Sequence, residues 1–152
     1  MNATGLPFNS VEAVERRPEG KTNPMVNSGA IAATSLVPGA TSDDRWELVH
    51  RRLSEFAGRE LALDDEVFAC AAESNTRNQS IARLVDSFGR LGCGPAEAVD
   101  VYTRQCSLSV SARDLAVMGA TLAHGGVNPV TGRRVRLPGG AARGGRLSGR
   151  SR

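Results

Sequence analysis

The sequence predicts a mainly α fold. Three observations carry this. Apolar residues recur at three- and four-residue spacing, most of these stretches open at a capping residue or a proline, and glycine or proline closes them. Almost everything between residues 28 and 125 reads as helix.

The elements follow in order. Residues 1–24 read as loop, with turn residues at Thr4-Gly5, Arg17-Pro18-Glu19-Gly20 and Asn23-Pro24. A helix is predicted from about Ser28 to Leu36, ending before Pro38-Gly39. Ser42 is the expected cap of the next, with Asp43 and Asp44 at its positive end and Gly58 at its stop. Trp46, Val49, Leu53 and Phe56 share one face of it and are expected to pack in the core. Asp64 caps a short helix through Val67, Phe68 and Ala71. Thr76 is expected to cap another, with Ile81, Leu84, Val85 and Phe88 inward and Gly89 at its end. Pro95 suits a first helical turn, followed by Ala98, Val99 and Tyr102 on one side. Ser111 and Asp114 form a capping box for a helix that carries Leu115, Met118 and Leu122 and ends at Gly125-Gly126. Val127 to Val135 reads as an extended or hairpin connection turning at Thr131-Gly132. From Leu137 the chain lacks apolar periodicity. The expected division is a partial domain over 1–136 and a disordered Gly/Arg-rich tail over 137–152.

The charge is unevenly placed. The chain carries +3, but seven arginines and no acids lie between Arg133 and Arg152. The remainder holds 12 basic and 16 acidic residues, so the body is negative and the basic balance belongs to the tail. Without aromatic residues to stack on bases, that tail does not make nucleic acid the expected partner. The apolar runs are too short for a membrane helix, and Met1 to Gly5 do not resemble a signal peptide. Three cysteines without a Cys-x-x-Cys spacing fit a reducing cytoplasm rather than a disulfide framework or a metal site. No metal or cofactor is expected.

The stretch that carries chemistry is Asn23-Pro24-Met25-Val26-Asn27-Ser28-Gly29-Ala30-Ile31. A proline-containing turn presents Asn27 at the mouth of a small-residue helix that other backbone can approach closely. A carboxamide there offers a ligand both a donor and an acceptor. The block resembles the Asn-Pro-Met-hydrophobic-Asn-Ala-Gly-Ala-Ile segment of the glutaminases, serine-dependent amidohydrolases of the β-lactamase/penicillin-binding-protein-like fold. Four more blocks resemble the same family in the same order. They are Gly5-Leu6-Pro7-Phe8-Asn9-Ser10, Thr76 to Ala82, Tyr102-Thr103-Arg104-Gln105-Cys106-Ser107, and Asp114 through Leu122-Ala123-His124-Gly125-Gly126-Val127-Asn128-Pro129. The resemblance covers about Gly5 to Val135. It implies the helical subdomain of a β-lactamase/transpeptidase-like α+β fold, with most of the sheet missing from this chain and apolar surface consequently exposed.

It also implies a reaction: hydrolysis of L-glutamine to L-glutamate and ammonia by a serine nucleophile with a lysine three residues later as its base. By resemblance, Asn27 and Asn78 match substrate-binding asparagines. Tyr102 matches a tyrosine that lies near the serine–lysine pair and the ligand, and it is the one catalytic position carried over. A homo-oligomer is among the assemblies implied. From the residues alone the plainer readings are a helix cap for Asn27, a solvated surface residue for Asn78 and half-buried packing for Tyr102.

Three departures stand out. No Ser-x-x-Lys is present, because Lys21 is the only lysine and Pro18 lies three residues before it. Resemblance gives way to the tail at about Val135-Arg136, as a frameshift or a truncated gene would produce. The family's ammonium-binding Glu aligns with Ala71, a loss of about 3–5 kcal/mol of recognition. Glu73 is a weak substitute, since two residues along a helix turn through about 200°. His124 stands where the family has Asn, with little consequence expected.

Glutaminase-family chemistry, with this chain inactive, is therefore the first expectation. The alternative is a non-catalytic pseudoenzyme or fragment that binds a partner, or weakly binds nucleic acid through its tail. A third reading is hydrolysis through His50, His124, Cys70, Cys93 or Cys106. In that reading His50 sits on a charged helix face, and the cysteines read instead as buried structural thiols.

Overall fold

Seven helices are present among the residues described by this computed structural model, 5–16 and 23–135. They are α1 (Glu12–Glu15), α2 (Asn27–Ser35), α3 (Ser42–Ala57), α4 (Asp65–Glu73), α5 (Thr76–Ser87), α6 (Pro95–Cys106) and α7 (Ala112–Ala123). No strand forms among these residues; pairing is confined to two isolated antiparallel bridges, Leu63 with Leu108 and Val127 with Arg134. The expected tail lies outside the described residues, as do the turns at Thr4 and at Arg17 to Gly20.

Local signals set most boundaries. Ser111 and Asp114 form the expected capping box of α7. Asp64 caps α4 by accepting from the Val67 amide, and Pro95 occupies the first turn of α6. Gly58 ends α3 in the left-handed region at φ 75°, where a residue with a Cβ is strained. Three expectations about where helices begin need correction, and Phe88, expected inward on α5, is instead exposed. The cap of α3 is Thr41, not Ser42: Asp44 lies three residues after Thr41 and completes the reciprocal box. The Ser42 hydroxyl instead donates to Asp100 Oδ2 at 2.5 Å. Thr76 is the first residue of α5 rather than its cap; Asn75 holds that position, with its side chain committed elsewhere. The N-terminal loop also contains a helical turn, α1, whose Val14 is fully buried.

Helix α6 is the hub, packing against α2, α3, α4 and α5. Two apolar clusters result. The first joins Val14, Ile31, Ile81, Ala82, Val85, Ala98 and Val99 from α1, α2, α5 and α6. The second joins Ala57, Leu61 and Leu108, with Trp46, Leu53 and Met118 packed against them. Trp46, Val49, Leu53 and Phe56, expected in the core, are only half-buried. Val49 and Leu53 line an apolar groove with Leu36, Val37, Pro38 and Leu48. Leu36 is 70% exposed and Leu122 63%, which is the exposed apolar surface expected of a partial domain.

Helix α2 tolerates close neighbours on several sides. A Cβ at Gly29 would overlap the Asn23 carbonyl, so glycine is needed where the preceding turn crosses the helix. At the other end Ser35 Oγ accepts from the Gly92 amide at 3.0 Å. The segment from residue 127 to 135 folds back as expected, with Asn128 fully buried. Its Nδ2 donates to the Glu55 and Phe56 carbonyls at 3.1 and 3.0 Å, and its Oδ1 accepts from the Val130 and Thr131 amides at 2.9 and 3.0 Å. One side chain thus satisfies carbonyls at the end of α3 and holds the turn that follows α7.

Candidate functional site

A cavity of about 280 Å³ opens where α2, α4, α5 and α6 meet, and Asn27, Asn78, Tyr102 and Ala71 all line it. Residues from four helices that lie far apart in sequence are therefore brought to one place.

Asn27 is not a helix cap. Val26 holds the cap position of α2, and Asn27 is the first helical residue. Its backbone amide donates to the Phe8 carbonyl at 3.1 Å, tying it to the N-terminal segment. Its side-chain Nδ2 donates to Asn78 Oδ1 at 3.0 Å. The relay continues: Asn78 Nδ2 donates to Asn75 Oδ1 at 2.8 Å, and Asn75 Nδ2 to Thr103 Oγ1 at 2.6 Å. The Thr103 hydroxyl donates in turn to the Val99 carbonyl at 2.7 Å. Every amide in this chain points the same way, because the last hydroxyl must donate to a helix carbonyl. That direction fixes which edge of each carboxamide remains for a ligand.

Asn78 is half-buried rather than a solvated surface residue, because this relay and the turn before α5 hold it. Tyr102 is half-buried, as the plainer reading required, and lines the cavity as well. Burial pushes its phenol well above the ordinary value, and the neighbouring Cys106 thiol, hydrogen-bonded one turn on, adds to the shift. Partial desolvation of its sulfur also raises the Cys106 thiol, although its bond with Tyr102 partly opposes this. Both groups remain protonated at neutral pH.

Ala71 is the α4 residue in the wall. Glu73 instead lines a neighbouring cavity with Phe68, Ala72, Thr76 and Gln79. Sequence reasoning did not single out Asn75, Thr103 or Asn9, which also line the site. The Asn75–Asn78 spacing of three residues was the available signal, since it places two carboxamides on one helical face.

Of the other candidate nucleophiles, Cys106 lines the cavity, whereas His50, His124, Cys70 and Cys93 do not. His50 is not an exposed member of a charged face: its ring stacks on Trp46 with centroids 5.3 Å apart, and Nε2 lies 2.5 Å from the Leu61 carbonyl oxygen. Cys70 and Cys106 are exposed rather than buried, and Cys93 is partly buried. Helix α4 has no fully buried residue, which leaves Cys70 on an open face. Among the described residues no group of acidic, histidine and cysteine side chains could hold a metal ion, and no helix is long and apolar enough to cross a membrane.

Comparisons with known proteins match the sequence and fold of this chain to a family. The family model described as Glutaminase matches residues 1–143. Glutaminase 2 of Yersinia pestis is 64% identical over 135 residues, covering 89% of this chain and 40% of that protein. A solved structure described as "Probable glutaminase ybaS" superposes with a TM-score of 0.83 at 49% identity, over 87% of this chain and 43% of that one. A solved structure described as "Probable glutaminase from Bacillus subtilis complexed with 6-diazo-5-oxo-L-norleucine" gives a TM-score of 0.71 at 30% identity, over 77% and 39%. The chain spans about two-fifths of the length of these relatives.

Proposed function

This chain belongs to the glutaminase family, and on that footing we propose that it forms the ligand-holding helical wall of an L-glutamine amidohydrolase site and, as this chain, holds the ligand without hydrolysing it. The observation that carries the reading is the Asn27–Asn78–Asn75–Thr103 relay beside Tyr102. Because its direction is fixed, the relay presents carboxamide edges in a set orientation, as recognition of an amide or a carboxylate requires.

The family's reaction adds water across the side-chain amide: the C–N bond breaks, ammonia leaves and a carboxylate remains. A serine–lysine pair supplies nucleophile and base in that chemistry. Here Lys21 is the only lysine and does not follow a serine at that spacing. Tyr102, held protonated, is suited to donating a hydrogen bond to an amide or to a developing oxyanion, not to taking a proton. Cys106, likewise protonated, is a poor nucleophile at neutral pH. Cys93 is also pushed up by burial, and His50 is engaged with a backbone carbonyl. These states support binding without turnover. Domain bounds of 1–136 and 137–152 and a cytoplasmic location belong to the same reading.

The test combines two measurements. Ammonia release from L-glutamine should be absent at high protein concentration, and 6-diazo-5-oxo-L-norleucine should leave the intact mass unchanged because no activated nucleophile meets its electrophilic carbon. Calorimetric titration should still detect ligand binding that Asn27→Ala weakens. Release that vanishes in Asn27→Ala would instead mean that other groups of this chain perform the hydrolysis.

A further inference from the structure

The cavity has an unbalanced charge. Among the described residues lining it, Arg77 carries the only formal charge at neutral pH. The remaining polar groups are the carboxamides of Asn9, Asn27, Asn75 and Asn78, together with hydroxyls and the Cys106 thiol. Acids close by in the fold line other spaces: Glu73 and Asp100 line one neighbouring cavity and Glu12 another. The α4 position that enters this wall is Ala71, a methyl group.

The relay spends one donor and one acceptor at each bond and leaves the charge imbalance to Arg77. The oxygens of Asn78, Asn75 and Thr103 each already accept a hydrogen bond from the preceding member. The carboxamides of Asn27 and Asn78 each keep a second N–H beyond the one spent in the relay. Each carboxamide oxygen also keeps at least one lone pair, so the carboxamides alone are balanced, and the Arg77 guanidinium is what tips the wall toward donors. A carboxylate or an amide oxygen is well served by such a wall. An ammonium is not: leaving water is costly for it without an anionic partner.

We infer that this cavity selects ω-amides that bear a carboxylate but no charged amine, and that Ala71 is the residue that sets this selectivity. Glutaramate and N-acetyl-L-glutamine represent the class; free L-glutamine carries the ammonium that the wall does not neutralise. The inference rests on the proposed ligand-holding role and narrows it to one class of amide.

The experiment is calorimetric titration of the full chain with glutaramate, N-acetyl-L-glutamine and L-glutamine, repeated on Ala71→Glu and on the neutral control Ala71→Gln. The wild type should bind the two compounds without an ammonium at least tenfold more tightly than L-glutamine. Ala71→Glu should reverse that ranking, and Ala71→Gln should leave it in place. Equal or tighter binding of L-glutamine by the wild type overturns the inference, and so does an unchanged ranking in folded Ala71→Glu. If that variant does not fold, the wild-type ranking decides alone. Absence of saturable binding of all three compounds overturns the ligand-holding role itself, and this selectivity with it.

Discussion

Asn27 and Asn78 are 51 residues apart in the chain, yet the side chain of one donates to the other across 3.0 Å. The bond joins the first turn of α2 to the first turn of α5, and its direction is inherited from Thr103, whose hydroxyl donates to the Val99 carbonyl. Reversing one member should therefore disturb the whole relay. Asn78→Asp removes the donor to Asn75 and sets a carboxylate against its oxygen. The expected loss of stability is about 1–3 kcal/mol, the cost of a partly buried polar group left unpaired. Urea unfolding of Asn78→Asp beside Asn78→Ala checks it: Asp should be the worse substitution.

Asn128 makes four hydrogen bonds from one buried side chain. Asn128→Ala should cost about 1–3 kcal/mol by leaving the end of α3 and the turn after α7 unsatisfied. Asn128→Asp should cost more, because a carboxylate would face the Glu55 and Phe56 carbonyls at the negative end of a helix. Denaturant midpoints for the two variants give the comparison.

At Gly29 the expected effect is steric. Gly29→Ala puts a methyl group into the Asn23 carbonyl, and overpacking of this kind costs about 1–3 kcal/mol. Because the backbone that must yield leads directly to Asn27, ligand affinity should fall together with the melting temperature. The neighbouring Ala30→Ser, on the same helix, should leave both close to wild type.

Asp114 has a pH signature. Arg59 donates to both of its carboxylate oxygens, from Nε at 2.8 Å and Nη2 at 2.6 Å, and Ser111 adds two further bonds at 2.7 Å. These partners, the Arg59 bonds foremost, hold its carboxyl well below the usual carboxylate range. A depressed carboxyl stabilises the fold above its unfolded value of about 3.9 and loses that contribution as pH falls toward the folded value. Acid unfolding should therefore include a stabilising contribution that fades below about pH 4. Arg59→Met should raise the Asp114 titration midpoint, observed by carboxyl NMR, and reduce the steepness of that acid limb.

The helices were legible where their signals are local. A capping box, a first-turn proline and a left-handed glycine each act within a few residues, and α3, α6 and α7 fall where those signals lie. The confusion of Ser42 with Thr41 arose between two adjacent hydroxyls; only the position of Asp44 separates them. Helix α1 left no periodic trace because it is one turn long and held by Val14 packing against distant residues. Asn27, Asn78 and Tyr102 were legible through motif likeness. Asn75 and Thr103 were not, since a hydrogen bond between residues 28 apart has no period in the sequence. Cys70 was not legible because apolar neighbours in sequence do not bury a residue on a helix with no buried position.

The division of the core into two clusters has a consequence for breathing motions. Asn27, Asn78 and Tyr102 are carried by α2, α5 and α6, whose apolar residues form the first cluster; the second depends on α3, α7 and the Leu61 and Leu108 segments. Saturating the cavity with ligand would therefore slow amide-proton exchange in α5 and the first turn of α2. Exchange in α7 would continue at its own pace, so the molecule would report occupancy through one cooperative unit while the other opened as before.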